Sequence, residues 1–302
     1  MVIGTRASPL ALAQAEETRA RLVAAAGLAP EALPLLPLTT TGDKIQDRAL
    51  SEAGGKGLFT KELDAALFAG SADLTVHSAK DLPTELPEGL VIAGYLPRED
   101  VRDVFISRRA DSLMSLPVGA VVGSASLRRQ AQILRARPDL KVTLLRGNVA
   151  TRLARLDEGR VDATLLALAG LKRLGKVDVA TAILDTDDFL PAVGQGAIAL
   201  VARAGDAAVL AAAATIADHD TGVALTAERA FLKVLDGSCR TPIAGHATVD
   251  GGRLRFRGLL LAPDGSRFVA VAREGDIREA AALGEEAGRA VIAEAGPDLL
   301  RG

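Results

Sequence analysis

At 302 residues, 49% hydrophobic and 25% charged, the chain has the balance of a folded globular protein of about two domains, or three small ones, rather than a disordered one. Thirty-six basic residues against 38 acidic leave a net charge of −2, which excludes a general attraction to nucleic acid or to an anionic membrane. One cysteine excludes an intramolecular disulfide and any multi-cysteine zinc or iron–sulfur site; no apolar run reaches the roughly 18 residues of a membrane span, and the first residues lack a secretory pattern, so a cytoplasmic protein is expected.

Val2–Thr5 reads as a strand, and Ser8-Pro9 suit the cap and first position of a helix running to Ala26 and stopped by Gly27. Leu35–Thr41 is a second strand closed by Gly42-Asp43. Phe59–Ala69 is an amphipathic helix, and Leu74–His77 and Leu90–Leu96 are further strands. A second alternation places strands at Val104–Ser107, Ala120–Gly123, Lys141–Leu145 and Ala163–Leu166, with helices opening at Ser124–Ser126, Asn148 and about Leu168. Alternation of this kind predicts parallel sheets covered by helices. Ala197–Ala202 is one more strand. The last hundred residues differ: two helices (about Asp206–Ala217 and Thr221–Leu235), three β-runs (Pro242–Thr248, Arg253–Leu261, Arg267–Arg273) and a final helix over Ile277–Ala295. Asp250-Gly251-Gly252 and Pro263-Asp264-Gly265 between the β-runs are turn signals, so an antiparallel α+β unit is expected there.

Charge is unevenly spread. Between Arg128 and Arg152 stand six arginines and one lysine against one acid, a local excess of +6. Polar residues also fall at one kind of place, just after predicted strands: Arg6 and Ser8; Ser78, Lys80 and Asp81; Ser124 and Ser126 with Arg128 and Arg129; Arg146, and Arg152 a turn into its helix. Open α/β sheets bind ligands beyond the carboxyl ends of their strands, where helix N-termini favour anions and arginines grip carboxylates in pairs. Several separated arginines suit a ligand carrying many carboxylates better than one carrying a single phosphate.

Individual motifs leave alternatives open. Gly194-Gln195-Gly196-Ala197-Ile198-Ala199 matches a dinucleotide fingerprint in form, but no clear strand precedes it and no helix follows. Gly54-Gly55-Lys56-Gly57 lacks the Walker spacing and reads as a loop. The three histidines lack metal-ligand spacing, and no metal is expected. Asp81 is either a helix cap or salt-bridged turn residue, or a functional acid. Cys239, beside Arg240, is either an inert buried thiol or a reactive one.

Seven stretches taken together resemble the porphobilinogen deaminase (hydroxymethylbilane synthase) family: Thr5-Arg6-Ala7-Ser8-Pro9-Leu10-Ala11, Gly54-Gly55-Lys56-Gly57-Leu58-Phe59, Val76-His77-Ser78-Ala79-Lys80-Asp81-Leu82-Pro83, Gly123-Ser124-Ala125-Ser126-Leu127-Arg128-Arg129-Gln130, Leu145-Arg146-Gly147-Asn148-Val149 with Thr151-Arg152-Leu153, Pro191-Ala192-Val193-Gly194-Gln195-Gly196-Ala197, and Gly237-Ser238-Cys239-Arg240-Thr241-Pro242. The resemblance implies an α/β fold: two domains like those of type II periplasmic binding proteins (1–97 with 195–216, and 98–194) flank a cleft, and a third α+β domain (217–302) carries a three-stranded antiparallel sheet. It returns Ala197–Ala202 to the first domain and sets aside the dinucleotide reading.

It implies a dipyrromethane cofactor attached to Cys239, and Asp81 as the catalytic carboxylate. Porphobilinogen is deaminated to an electrophilic methylene-pyrrolenine, and four units are joined into a linear tetrapyrrole released as hydroxymethylbilane. Arg6, Ser8, Lys56, Ser78, Lys80, Ser124, Ser126, Arg128, Arg129, Arg146, Arg152 and Gln195 are the expected substrate- and cofactor-binding residues. The expected protein is a monomer that takes a small-molecule substrate and hands its product to the next enzyme of the route. Two departures stand out: Glu52 where some relatives have a basic residue, and Val101 where proline is common. The competing readings are a non-catalytic periplasmic-type module for an acidic small molecule, and a nucleotide-dependent oxidoreductase.

Overall fold

The computed structural model describes residues 1–44, 57–235 and 242–301. The expectations placed on Glu52, Lys56 and Cys239 fall outside them.

The strands, in chain order, are β1 (Ile3–Arg6), β2 (Leu35–Leu38), β3 (Leu74–Ser78), β4 (Leu90–Tyr95), β5 (Asp103–Ser107), β6 (Val121–Gly123), β7 (Lys141–Thr143), β8 (Ala163–Ala167), β9 (Ala182–Ile183), β10 (Ile198–Arg203), β11 (Ile243–Asp250), β12 (Arg253–Leu261) and β13 (Phe268–Asp276). The helices are α1 (Pro9–Ala26), α2 (Thr41–Lys44), α3 (Lys61–Phe68), α4 (Leu127–Ala136), α5 (Val149–Asp157), α6 (Leu168–Arg173), α7 (Ala207–Ala214), α8 (His219–Val234) and α9 (Ala280–Arg301).

Local chemistry accounts for most of these boundaries. The Ser8 hydroxyl accepts from the Ala11 N–H, Pro9 opens α1, and Gly27 closes it in the left-handed conformation at φ 63°. Ser126 and Asn148 cap α4 and α5 in the same way. Gly251 and Gly252, both at positive φ, form the two-residue turn that pairs Asp250 with Arg253, the geometry favoured between twisted antiparallel strands. Several boundaries shift: the strand expected over Leu35–Thr41 ends at Leu38, with Thr41 opening α2, the helix expected to Ala217 ends at Ala214, and the final helix is Ala280–Arg301 rather than Ile277–Ala295. The amphipathic helix opens at Lys61 rather than Phe59, the strand expected to Leu145 stops at Thr143, and β5 begins one residue early, at Asp103. β9, only two residues long, carries too little pattern to be read in advance.

The strand order is β2-β1-β3-β10-β4 in the first sheet and β7-β6-β8-β5-β9 in the second. Each has a parallel block (β2, β1, β3; β7, β6, β8) beside an antiparallel strand, β10 or β5, where the chain arrives from the other sheet. Ala197–Ala202 thus returns to the first sheet as β10, and its residues Ile198 to Ala202 are fully buried. The first sheet is covered on one face by α1 and α7 and on the other by α3 and Leu225 of α8. The second is covered by Ile133 of α4 on one face and by α5 and α6 on the other. β11, β12 and β13 form the antiparallel third sheet, packed on α8 and α9 around Phe231 and Phe256, whose rings lie 4.9 Å apart.

The two connections between the α/β sheets run side by side, and their contact explains the glycines of the apparent fingerprint. Gly196 sits at φ 88°, and a Cβ there would lie 2.3 Å from the Glu99 carbonyl oxygen; one at Gly194 would lie 2.9 Å from the Lys80 backbone nitrogen. The glycines serve close backbone approach. Arg98 holds the crossing together: its Nε donates to the Gln195 carbonyl at 2.9 Å, and its two terminal nitrogens grip Glu228 at 2.6 and 3.1 Å. Glu228, fully buried on α8, also accepts from the N–H groups of Gly194 (2.7 Å) and Ala247 (2.8 Å). One satisfied ion pair therefore joins both connections to the third sheet.

Candidate active site

Arg6 and Ser78 end β1 and β3, the 3-10 turn Ala79–Asp81 follows β3, and Ser124 follows β6. Arg128 and Arg129 stand in the first turn of α4, Arg146 follows β7, and Arg152 is in the first turn of α5. Hydrogen bonds link the two sheets here: Lys80 donates to Gln195, Gln195 to Asp103, and Arg128 and Arg129 to Asp103. Lys80 is lowered to about 8, first by the surrounding protein mass and then by Arg129 and Arg128, with Asp81 and Asp103 opposing. Lys80 is nonetheless exposed to solvent. Arg152 is lowered to about 10 by burial and by Arg129 and Arg146, again with Asp81 opposing. Among the described residues, Lys80, Arg128, Arg129, Arg146 and Arg152 thus act on one another's charge with the carboxylates Asp81 and Asp103 between them, and Arg6 pairs with Asp81 at 3.4 Å.

Asp103 is the residue that sequence reasoning missed. It is fully buried at the start of β5, and its oxygens accept from Arg128 Nη2 and Arg129 Nη2, each at 2.7 Å, and from Gln195 Nε2 at 2.9 Å. Burial opposes its ionisation, but the two arginines outweigh it and hold the carboxyl far below its ordinary range. Arg128 and Arg129 are themselves buried and turn their remaining Nη1 donors to the Leu190 and Leu165 carbonyls at 2.8 and 2.9 Å. The Nε atoms of both are buried without a hydrogen-bond partner. The available signal was an acid opening the apolar run Val104-Phe105-Ile106: a charge at the head of a buried strand has to be paired.

Asp103→Asn is expected to cost about 3–5 kcal/mol, because two guanidinium groups stay buried without their counter-charge. Asp157→Asn, which breaks the exposed pair with Arg108, is expected to cost at most about 1 kcal/mol. Denaturant midpoints of the two variants check this, and equal losses would show that Asp103 does not neutralise the pair. Because the folded-state value is depressed, the Asp103 contribution is present above its unfolded value of 3.8 and is lost as pH falls through the lower folded value.

Gln195 is buried between the halves of the site. Its Nε2 donates to the Val101 carbonyl at 2.7 Å and to Asp103, and its Oε1 accepts from Lys80 Nζ at 3.2 Å. The serines make local contacts. Ser8 and Ser126 cap helices, Ser124 Oγ bonds within its turn to the Ser126 N–H and carbonyl, and Ser78 exchanges hydrogen bonds with Gln14 of α1 at 2.9 and 3.2 Å. Arg152 Nε donates to the Gly147 carbonyl at 2.9 Å, and Arg146 is buried.

Asp81 ends its 3-10 turn and caps no helix among the described residues. Its side chain is 30% exposed and accepts from Arg6 Nη1 at 3.4 Å. Arg6 also forks onto Asp43 and lies over the Phe59 ring, 4.2 Å from its centroid. Below them His77 is buried against the Thr75 hydroxyl at 2.9 Å and held neutral, lowered to about 3 by burial and by Arg6.

The family sequence model described as "Porphobilinogen deaminase, dipyromethane cofactor binding domain" matches residues 1–211, and "Porphobilinogen deaminase, C-terminal domain" matches residues 223–293. Curated proteins named porphobilinogen deaminase from Nitrobacter winogradskyi and Nitrobacter hamburgensis are each 59% identical to the chain over 294 residues, 97% of this chain and 93% of theirs. Similar solved structures include the periplasmic aliphatic sulphonate binding protein SsuA of Escherichia coli (TM-score 0.41, 15% identity, 77% of this chain and 69% of that one). Another is a YaeC-family lipoprotein of Enterococcus faecalis (TM-score 0.42, 12% identity, 73% and 92%). With both family domains matched in order and relatives at this identity over almost its whole length, the chain belongs to the porphobilinogen deaminase family.

Proposed function

We propose that the chain deaminates porphobilinogen and joins four units head to tail onto a dipyrromethane cofactor attached to Cys239, then releases hydroxymethylbilane by hydrolysis. Its working units on this reading are 1–97 with 195–216, 98–194, and 217–302. The observation that carries the reading is the set of cations, Lys80, Arg128, Arg129, Arg146 and Arg152 with Arg6, gathered about the partly exposed carboxylate Asp81.

The donor set suits the cofactor. Among the described residues of the site cations outnumber carboxylates, and the buried Nε–H groups of Arg128 and Arg129 lack acceptors. Each pyrrole of a dipyrromethane brings an acetate and a propionate. Lys80, Arg128, Arg129, Arg146 and Arg152 would hold those side chains, with Lys56, Ser8, Ser78, Ser124 and Ser126 contributing at the margins. When bound, the cofactor supplies the free pyrrole α-carbon to which the first substrate unit is joined.

The chain's own residues supply the rest. Arginines pair substrate carboxylates and orient the pyrrole ring. Asp81 stabilises positive charge developing on the substrate nitrogen and receives or returns its proton. Gln195 fixes Lys80 against the crossing segments. Neutral His77 adds no competing charge behind Arg6.

The protein works as a cytoplasmic monomer passing its product to the next enzyme; no helix among the described residues is long and apolar enough to cross a membrane. Intact mass tests the reading. Protein purified after expression, or incubated with porphobilinogen, should be heavier than its sequence by a dipyrromethane on Cys239. A mass equal to the sequence after both treatments would overturn it in favour of a binding module.

A further inference from the structure

We propose that Asp43 is a positioning residue for Asp81, acting through Arg6; the inference rests on Asp81 being the reacting carboxylate. Arg6 has two carboxylate neighbours and divides itself unequally between them. Its Nε donates to Asp43 Oδ2 at 3.2 Å and its Nη2 pairs with Asp43 Oδ1, the two-pronged geometry a guanidinium makes best. Asp81 receives only Nη1, at 3.4 Å, near the outer limit of a hydrogen bond.

Asp43 is itself held in place. Thr40, fully buried, donates to Asp43 Oδ2 through its hydroxyl at 2.7 Å and its backbone N–H at 3.3 Å. The stretch is anchored further by the Gly42 N–H on the Leu58 carbonyl at 2.7 Å, and by Thr41, whose N–H and hydroxyl donate to Glu62 at 2.9 and 2.7 Å. Phe59 covers one face of the guanidinium, so an exchange of partners within the plane of Arg6 keeps that contact.

The consequence concerns charge. With Asp43 ionised, the guanidinium is committed to it, and Asp81 keeps most of its negative charge for the substrate. Without that charge Arg6 would swing in its plane toward a two-pronged pair with Asp81, occupying both oxygens and cancelling the charge that stabilises a pyrrole cation. Asp43 thereby keeps the reacting carboxylate available without touching substrate.

A double-mutant cycle tests this. Wild type, Asp43→Asn, Arg6→Gln and the double variant are loaded with preformed hydroxymethylbilane, checked by intact mass, and assayed for porphobilinogen turnover at high enzyme concentration; Asp43→Glu and Asp81→Asn are measured beside them. Asp43→Asn should lower kcat about tenfold with KM changed by less than about threefold, and Asp43→Glu should recover most of the loss. In the Arg6→Gln background, Asp43→Asn should cause no further fall, since the contact through which it acts on Asp81 is already gone. Wild-type kcat in Asp43→Asn, failure of Asp43→Glu to recover, or losses that multiply in the double variant would each overturn the proposal. If Asp81→Asn loses turnover while Asp43→Asn does not, only this inference fails. If Asp81→Asn keeps turnover, the catalytic reading of Asp81 fails with it.

Discussion

Asp81→Asn is expected to fold, to keep covalent cofactor when supplied with preformed hydroxymethylbilane, and to consume porphobilinogen roughly 10²–10⁴-fold more slowly than the parent. Structurally the substitution is small. The side chain is 30% exposed and, among the described residues, caps no helix and makes one long contact, with Arg6, so an ion-pair loss of at most about 1 kcal/mol is expected. Electrostatically it is large. Among the described residues, the neighbouring carboxylates are committed elsewhere: Asp103 is buried on Arg128 and Arg129, and Asp43 takes the two-pronged pair with Arg6. Removing its charge leaves a developing pyrrole cation beside Lys80 and Arg152 without the partly exposed carboxylate that offsets them. Asp81→Glu keeps the charge and shifts it by one methylene, and should fall well above Asn. If Asp81 is only a salt-bridged turn residue, Asn should be nearly silent. Porphobilinogen consumption by both variants, with cofactor content followed by intact mass, separates the two, and near-normal turnover in Asp81→Asn would falsify the role assigned to it.

The second large effect is expected at Cys239. Cys239→Ser should fold as the parent does, because the exchange of sulfur for oxygen is small, yet carry no stable dipyrromethane and show almost no turnover. A serine hydroxyl is far less nucleophilic than a thiolate near neutral pH, so the attachment bond would not form. Loss of the anchor matters beyond loss of one group. An attached chain keeps its growing end at the site, so that each later addition is effectively unimolecular with respect to the chain. Intact mass and a turnover assay on the same preparation check both halves; full activity in Cys239→Ser would remove the residue from the mechanism.

Features governed by neighbours a few residues apart were legible in the amino-acid order. Ser8-Pro9 and Gly27 bound α1 where capping chemistry places them, Ser126 and Asn148 open α4 and α5, and Asp250-Gly251-Gly252 turns β11 into β12. The grouping of polar residues after strands was legible too, because it depends only on where each strand ends. What those residues face was not. Nothing local says that Arg128 and Arg129 turn inward to Asp103, that Arg98 reaches Glu228, or that Arg6 forks onto Asp43 rather than Asp81. Likewise Gly194 and Gly196 matched a nucleotide fingerprint in form, whereas the pressure on them comes from the Lys80 and Glu99 backbones. Caps and turns are satisfied within one turn of chain, so residue type and spacing determine them. An ion pair between residues 25 to 130 positions apart exists only once the strand order has brought its two ends together, and burial then decides which partner each charge must take.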